Sequence, residues 1–354
     1  MIIRHRERAG MSVTELLVVI AIISTLMALL IPAVQWARER GRMATCSANL
    51  KQIGYAFTQH NADHGYFPHA GMFDPNDPTT RWNLAETVNL DVGGGRLKPY
   101  VAWGWAHQIL PYMNQRQQYD QLLISFQDGS PDRVQARLGA AASPVREYFC
   151  PTRRAPIAQD GVGCGLPPGL RGAIDYAGNG GFRNRLTGTR YAFPPTLYPY
   201  PAAESAVHPD GAVIPVGFLN SSSIFQWERE RVGLGALPDG AASTILVGER
   251  NFNVLLKSFA LEQQDEDNGF MAGYTGDTIR WAYAIPYRDR SGGPLPPPLY
   301  PAAPQPPETR FGAAHTQGCY FVFGDGSVKL LKYNIGLDVF RQMASRDDGN
   351  SPTP

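Results

Sequence analysis

The sequence predicts an α+β protein: a long N-terminal helix, its first half apolar enough to span a membrane, packed on a head domain of antiparallel β-sheet and hairpins. Three observations predict it. Residues 16–34 (LLVVIAIISTLMALLIPAV) carry no charge; at about 1.5 Å per residue a helix of that length covers roughly the 30 Å hydrocarbon core of a bilayer. Behind it Met43, Cys46, Leu50, Ile53 and Phe57 recur at spacings of 3, 4, 3 and 4, one apolar face at helical period. Near the C-terminus two apolar runs, 318–324 and 327–331, flank Asp325-Gly326, a strong hairpin signal.

The chain opens with MIIRHRERAG, carrying Arg4, Arg6 and Arg8, and a single acid, Glu15, stands at the lip of the apolar run. A carboxylate there is costly in lipid and calls for a partner. Pro32 removes one backbone donor and predicts a kink rather than a stop. Gly65 and Pro68 end the helix. The expected organisation is a leader at 1–10, an N-terminal helix at 11–64 with its transmembrane half at 15–34, and a head domain at 65–354. Arg38, Arg40 and Arg42 behind the span match the leader's three arginines, so charge alone does not set the orientation.

In the head, 100–126 reads as an aromatic strand or loop followed by a helix near 112–125. Residues 146–151 (REYFCP) read as a short strand closed by proline, and 175–181 (DYAGNGG) as a glycine-rich turn. The proline-rich blocks 193–201 and 286–307 read as extended surface loops. Pro238-Asp239-Gly240 is a turn, after which 241–249 fits either a short helix or a strand. A closing helix starts at about Gly336, with Leu337, Phe340 and Ala344 on one face.

Composition bounds the chemistry. A net charge of +1 argues against a nucleic-acid footprint. Glycine and proline number 37 and 30, well above ordinary usage, yet 43% of residues are apolar, so the chain reads as a folded domain with long loops. The four cysteines (Cys46, Cys150, Cys164 and Cys319) all follow the apolar run. In an oxidising exterior an even number suggests two bridges, with three possible pairings. No C-x-x-C occurs, so a zinc ribbon is not expected.

No catalytic constellation stands out: G-x-S-x-G is absent, and the glycine-rich stretch lacks the G-x-G-x-x-G order. His60 and His64 share a helical face with Asp63 beside them and His69 beyond, but HNADH is not HExxH, and a solvated helix end is expected. The acidic run 265–267 reads as an exposed loop without the D-x-D-x-D-G calcium spacing. The expectation is therefore no enzyme, no cofactor and no metal.

The apolar run also fits a signal peptide or a plain signal anchor, but it is longer than a signal peptide's apolar core and ends in a poor cleavage site. The N-terminus resembles type IV pilins and pseudopilins: a basic leader, Gly10 before the cut, Met11 as the new terminus, Thr14-Glu15 at mature positions four and five, then an apolar helix with Pro32 at the kink. The resemblance implies a prepilin peptidase that cuts after Gly10 and methylates the amine of Met11. It also implies that Glu15 neutralises that amine on a neighbouring subunit during assembly.

The rest of the chain resembles a large bacterial family of prepilin-leader proteins with an uncharacterised head and a C-terminal H-x9-DG signature. Here the signature is His315, Asp325 and Gly326. The matching segments are CSANLKQ from Cys46, FCP at Cys150, YAGN from Tyr176 and TILVGER from Thr244. In this reading Asp325-Gly326 makes the hairpin turn and His315 braces the strand before it. Cys46 and Cys150 both fall in recurrent segments, which favours pairing them and leaves Cys164 with Cys319.

The expectation is thus a pseudopilin or minor pilin of a type II secretion or type IV pilus-like assembly. Its implied partners are the prepilin peptidase/methyltransferase, other pilin-like subunits through the N-terminal helix, and the lipid bilayer, with no nucleic acid. The implied location is the inner membrane, single-pass, N-terminus cytoplasmic and head periplasmic, with a filament or cell-surface location after assembly. The alternative is a membrane-tethered extracytoplasmic binding module for carbohydrate or another ligand. A tethered hydrolase ranks last.

Overall fold

A computed structural model describes residues 13–73, 103–123, 131–163, 166–182, 210–213, 217–219, 225–227, 231–252, 269–271, 278–289 and 310–349. Gly10, Met11, Cys164, the acidic run 265–267 and the proline-rich block 193–201 lie outside them. The chain divides into two units, Met1–Ala44 and Thr45–Pro354.

Helix α1 (Val13–His64) runs unbroken through Pro32, with Glu15 in its first turn. The large aliphatic side chains from Leu16 to Val34 are exposed. By length and composition this is a helix able to cross a membrane. It ends at Gly65, whose φ of +81° is the left-handed conformation of a helix C-cap and whose N–H bonds Asn61 O at 2.8 Å.

The second unit is α+β. Its further helices are α2 (Trp105–Gln108), α3 (Arg116–Leu122), α4 (Pro131–Ala142) and α5 (Leu337–Ala344). The strands in chain order are β1 (Met72–Phe73), β2 (Ala158–Gly163), β3 (Leu166–Gly172), β4 (Tyr176–Asn179), β5 (Gly217–Leu219) and β6 (Phe225–Trp227), followed by β7 (Ile245–Glu249), β8 (Ile279–Arg280), β9 (Tyr287–Arg288), β10 (Gly312–Ala313), β11 (Cys319–Phe323) and β12 (Val328–Leu331). The central sheet has the order β12-β11-β7-β4-β8, antiparallel except for β4 with β8.

Side chains alternate across β11 with period two. Val322 joins the core cluster of Leu50, Ile53 and Phe57 from α1, with Trp105, Tyr148 and Leu246. Phe321 and Phe323 face the opposite way, into a second cluster with Phe311 and, from α5, Phe340 and Met343. Phe340 meets Phe311 and Phe321 edge-on at 6.1 and 5.6 Å. The β11–β12 hairpin turns at Gly326, whose φ is +78°. It also lies under α1: a Cβ on Gly54 would collide with Val322 Cγ2 and sit 3.6 Å from Gly326 Cα.

Four local expectations need correction. The predicted strand at 146–151 opens with a 3-10 turn (Arg146–Tyr148), closed by bonds from Tyr148 N–H to Val145 O and from Phe149 N–H to Arg146 O, and Tyr148, Phe149 and Cys150 are buried in succession without a strand partner among the described residues. The predicted turn at 175–181 contains β4, a central strand buried at every position. Its glycines serve close packing: a Cβ on Gly178 would lie 2.8 Å from Val213 Cγ1. The predicted helix at 112–125 is shorter, because Asn114 adopts φ 59° and separates a 3-10 turn from α3. Finally, Tyr287 and Arg288 of the second proline-rich block form β9, paired in parallel with β10.

Candidate functional site

Four polar side chains from distant parts of the chain meet in the interior of the second unit. They are Cys46, Cys150, Glu249 and His315, all fully buried, and their sulfur, oxygen and nitrogen atoms lie within 4.8 Å of one another. Cys46 Sγ is 2.7 Å from Cys150 Sγ. Cys150 Sγ is 3.5 Å from His315 Nε2, which is 3.4 Å from Glu249 Oε1.

Each member has its own local support. Cys46 lies on the apolar face of α1. One turn later Asn49 Nδ2 donates to Phe149 O at 2.9 Å, fixing the segment that carries Cys150. The Cys150 N–H donates to Asp175 Oδ2 at 2.9 Å. Glu249 ends β7, and its Oε2 accepts the Tyr320 N–H at 2.8 Å. Glu249 Oε1 is buried and accepts no hydrogen bond of normal geometry among the described residues. The loop bearing His315 is tied down by Tyr333, whose hydroxyl donates to Ala313 O at 3.1 Å and His315 O at 2.7 Å.

The electrostatics follow from burial. The hydrogen-bonding contact between the Cys150 and Cys46 thiols and the loss of solvent push the Cys150 thiol well above its usual range. Burial opposes a charge on His315, but its contacts with Cys150 and Glu249 prevail and raise it to about 11. Next to the cluster, Arg153 and Arg154 approach Asp175 at 3.3 and 2.6 Å, and Arg153 also binds Asp289 at 2.7 Å. Burial works against ionisation of Asp175, yet Arg154 and Arg153 hold its carboxyl below the ordinary value.

The residues singled out in the sequence are distributed unevenly. Cys46 and Cys150 adjoin, as free thiols. Cys319, also a buried free thiol, directs its Sγ to Glu249 O at 3.4 Å. Of the H-x9-DG residues, Asp325 sits exposed in the hairpin turn, accepting the Ser327 N–H, while His315 is buried against Cys150 and Glu249. His60 is buried rather than solvated: its Nδ1 meets Tyr66 O and its ring stacks on His64 at 4.3 Å. His69 bonds Gln108 instead of completing a set with them. Glu249 was missed as a site residue. Its signals were its place in the TILVGER segment and an acid following the apolar run ILVG, where a buried strand would have to justify it.

No curated protein and no solved structure matches this chain. Residues 35–338 match a family described as a protein of unknown function (DUF1559), and the chain belongs to that family.

Proposed function

We propose that this protein is a prepilin-processed structural subunit, a pseudopilin or minor pilin of a type II secretion or type IV pilus-like assembly. One observation carries the reading: α1 presents an exposed, uncharged apolar segment with a single acid, Glu15, in its first turn, and the same helix continues into the head of a DUF1559-family protein. An unpartnered helix of this kind is stable in lipid or against copies of itself, and in water it is not.

In this reading the leader is cut after Gly10 and the new amine of Met11 is neutralised by Glu15 of an adjacent subunit. Removing one member of such a buried ion pair costs about 3–5 kcal/mol. The role is structural, without catalysis, and the head faces the periplasm until assembly.

Mass spectrometry of the protein purified from its host should show a mature chain beginning at a methylated Met11. Glu15→Ala should still be cleaved, yet fail to enter filaments or crosslinked subunit ladders. A chain that retains its arginine-bearing leader would sink the proposal.

A further inference from the structure

We propose that Cys46, Cys150, Glu249 and His315 form a buried structural site for a thiophilic divalent cation, zinc by its ligand chemistry. Two thiolates, an imidazole and a carboxylate are the donor types zinc takes in four-coordinate sites. The four come from α1, the turn after Tyr148, the end of β7 and the loop before β11, so that no local motif explains their meeting.

The spacing agrees with a tetrahedron. With metal bonds of about 2.3 Å to sulfur and about 2.0–2.1 Å to nitrogen and oxygen, the sulfur–nitrogen edge is roughly 3.6 Å and the nitrogen–oxygen edge roughly 3.4 Å. The corresponding separations are 3.5 Å for Cys150 to His315 and 3.4 Å for His315 to Glu249. Of these three edges only that between the two sulfurs, 2.7 Å apart, must open by about 1 Å to reach a tetrahedral edge, and the other three lie within 4.8 Å. Small rotations of two cysteine side chains supply that.

A disulfide between Cys46 and Cys150 would account for two of the four residues. It would leave unexplained why a fully buried glutamate and a fully buried histidine, 3.4 Å apart, close on the same two sulfurs. A buried pair held at that length recovers little of its desolvation cost, and a metal ion would ligate both groups directly. The outer contacts also fit: Tyr320 N–H orients the carboxylate through its other oxygen, as supporting residues around metal ligands do. On binding, the protons on the two thiols and the imidazole leave to solvent, and the ion takes the vacated lone pairs. All four positions are filled by protein, so the site is closed and holds α1 to the sheet rather than activating water.

The test uses the full-length chain purified in detergent from membranes, without chelator. The expected result is one zinc per chain by elemental analysis, with Cys46 and Cys150 unreactive until the metal is stripped. Cobalt(II) added to the stripped chain should give a thiolate-to-metal charge-transfer band, and X-ray absorption should count two sulfur neighbours. Cys150→Ser and His315→Gln should lose the metal while wild type retains it. Should those variants fail to fold, the sulfur count on wild type still decides. A Cys46–Cys150 disulfide in the purified chain, or metal content unchanged in Cys150→Ser, would overturn the site.

Discussion

Asn49 bonds the carbonyl of Phe149 across a gap of 100 residues, its Nδ2 donating at 2.9 Å one helical turn beyond Cys46. This amide is what brings the helix and the Cys150 segment into register. Asn49→Ala leaves a buried carbonyl unpaired and should destabilise the head by about 1–3 kcal/mol. Denaturant unfolding of the head, followed by tryptophan fluorescence, measures it; an unchanged midpoint would remove Asn49 from this role.

Asp175 serves three groups at once: the Cys150 N–H, Arg153 and Arg154. Asp175→Ala removes the carboxylate that Arg153 and Arg154 share, leaving Arg153 with Asp289 alone, and should cost about 3–5 kcal/mol. A loss under 1 kcal/mol in the same unfolding experiment would mean that solvent or another acid compensates.

Gly178 has no space for a side chain, since an added Cβ would approach Val213 to 2.8 Å and Ile279 to 3.2 Å. Gly178→Ala should therefore overpack the centre of the sheet and destabilise by about 1–3 kcal/mol. Gly235, with nothing within 4 Å of such a Cβ, is the control: Gly235→Ala should leave the melting temperature unmoved.

Stability should fall on acidification. Burial lowers His107 from 6.5 to about 3, His69 to about 3 and His60 to about 4. Below pH 6.5 the unfolded chain therefore binds more protons than the folded one, and stability present above that pH drains away towards pH 3–4. His107 stacks on Tyr119 at 4.7 Å and meets Trp103 edge-on at 4.6 Å, so phenylalanine can take its place among the rings. His107→Phe should flatten the acid limb of a stability–pH curve; an identical limb in the variant would place the titration elsewhere.

A charge in the middle of the apolar run tests its environment. Leu26 is exposed on α1. Leu26→Arg should cost about 2.5–3.5 kcal/mol on insertion into a bilayer and shift the protein out of the membrane fraction. Retention in that fraction after alkaline washing would argue that the segment does not span.

The parts legible in the sequence were those governed by one period or one turn. The uncharged run and the 3-4-3-4 spacing through Cys46, Leu50, Ile53 and Phe57 gave α1, and Asp325-Gly326 gave the β11–β12 hairpin. The stretch around Tyr176 was misread because its glycines look like turn residues, whereas they serve a strand squeezed between Val213 and Ile279. The site could not be read at all from spacing. Cys46 and Cys150 lie 104 residues apart, and Cys150 and His315 lie 165 apart, so their meeting is a property of the whole sheet. His315 was noticed for its distance from Asp325, yet its chemistry faces the other way, towards Glu249.

The seat of Gly54 on Val322 and Gly326 bears on the order of events at the ribosome. The packing surface of this segment is completed only when the last hairpin emerges, so the patch around Gly54 stays uncovered through most of translation. Contacts this remote in sequence close slowly, and half-made chains are prone to aggregate.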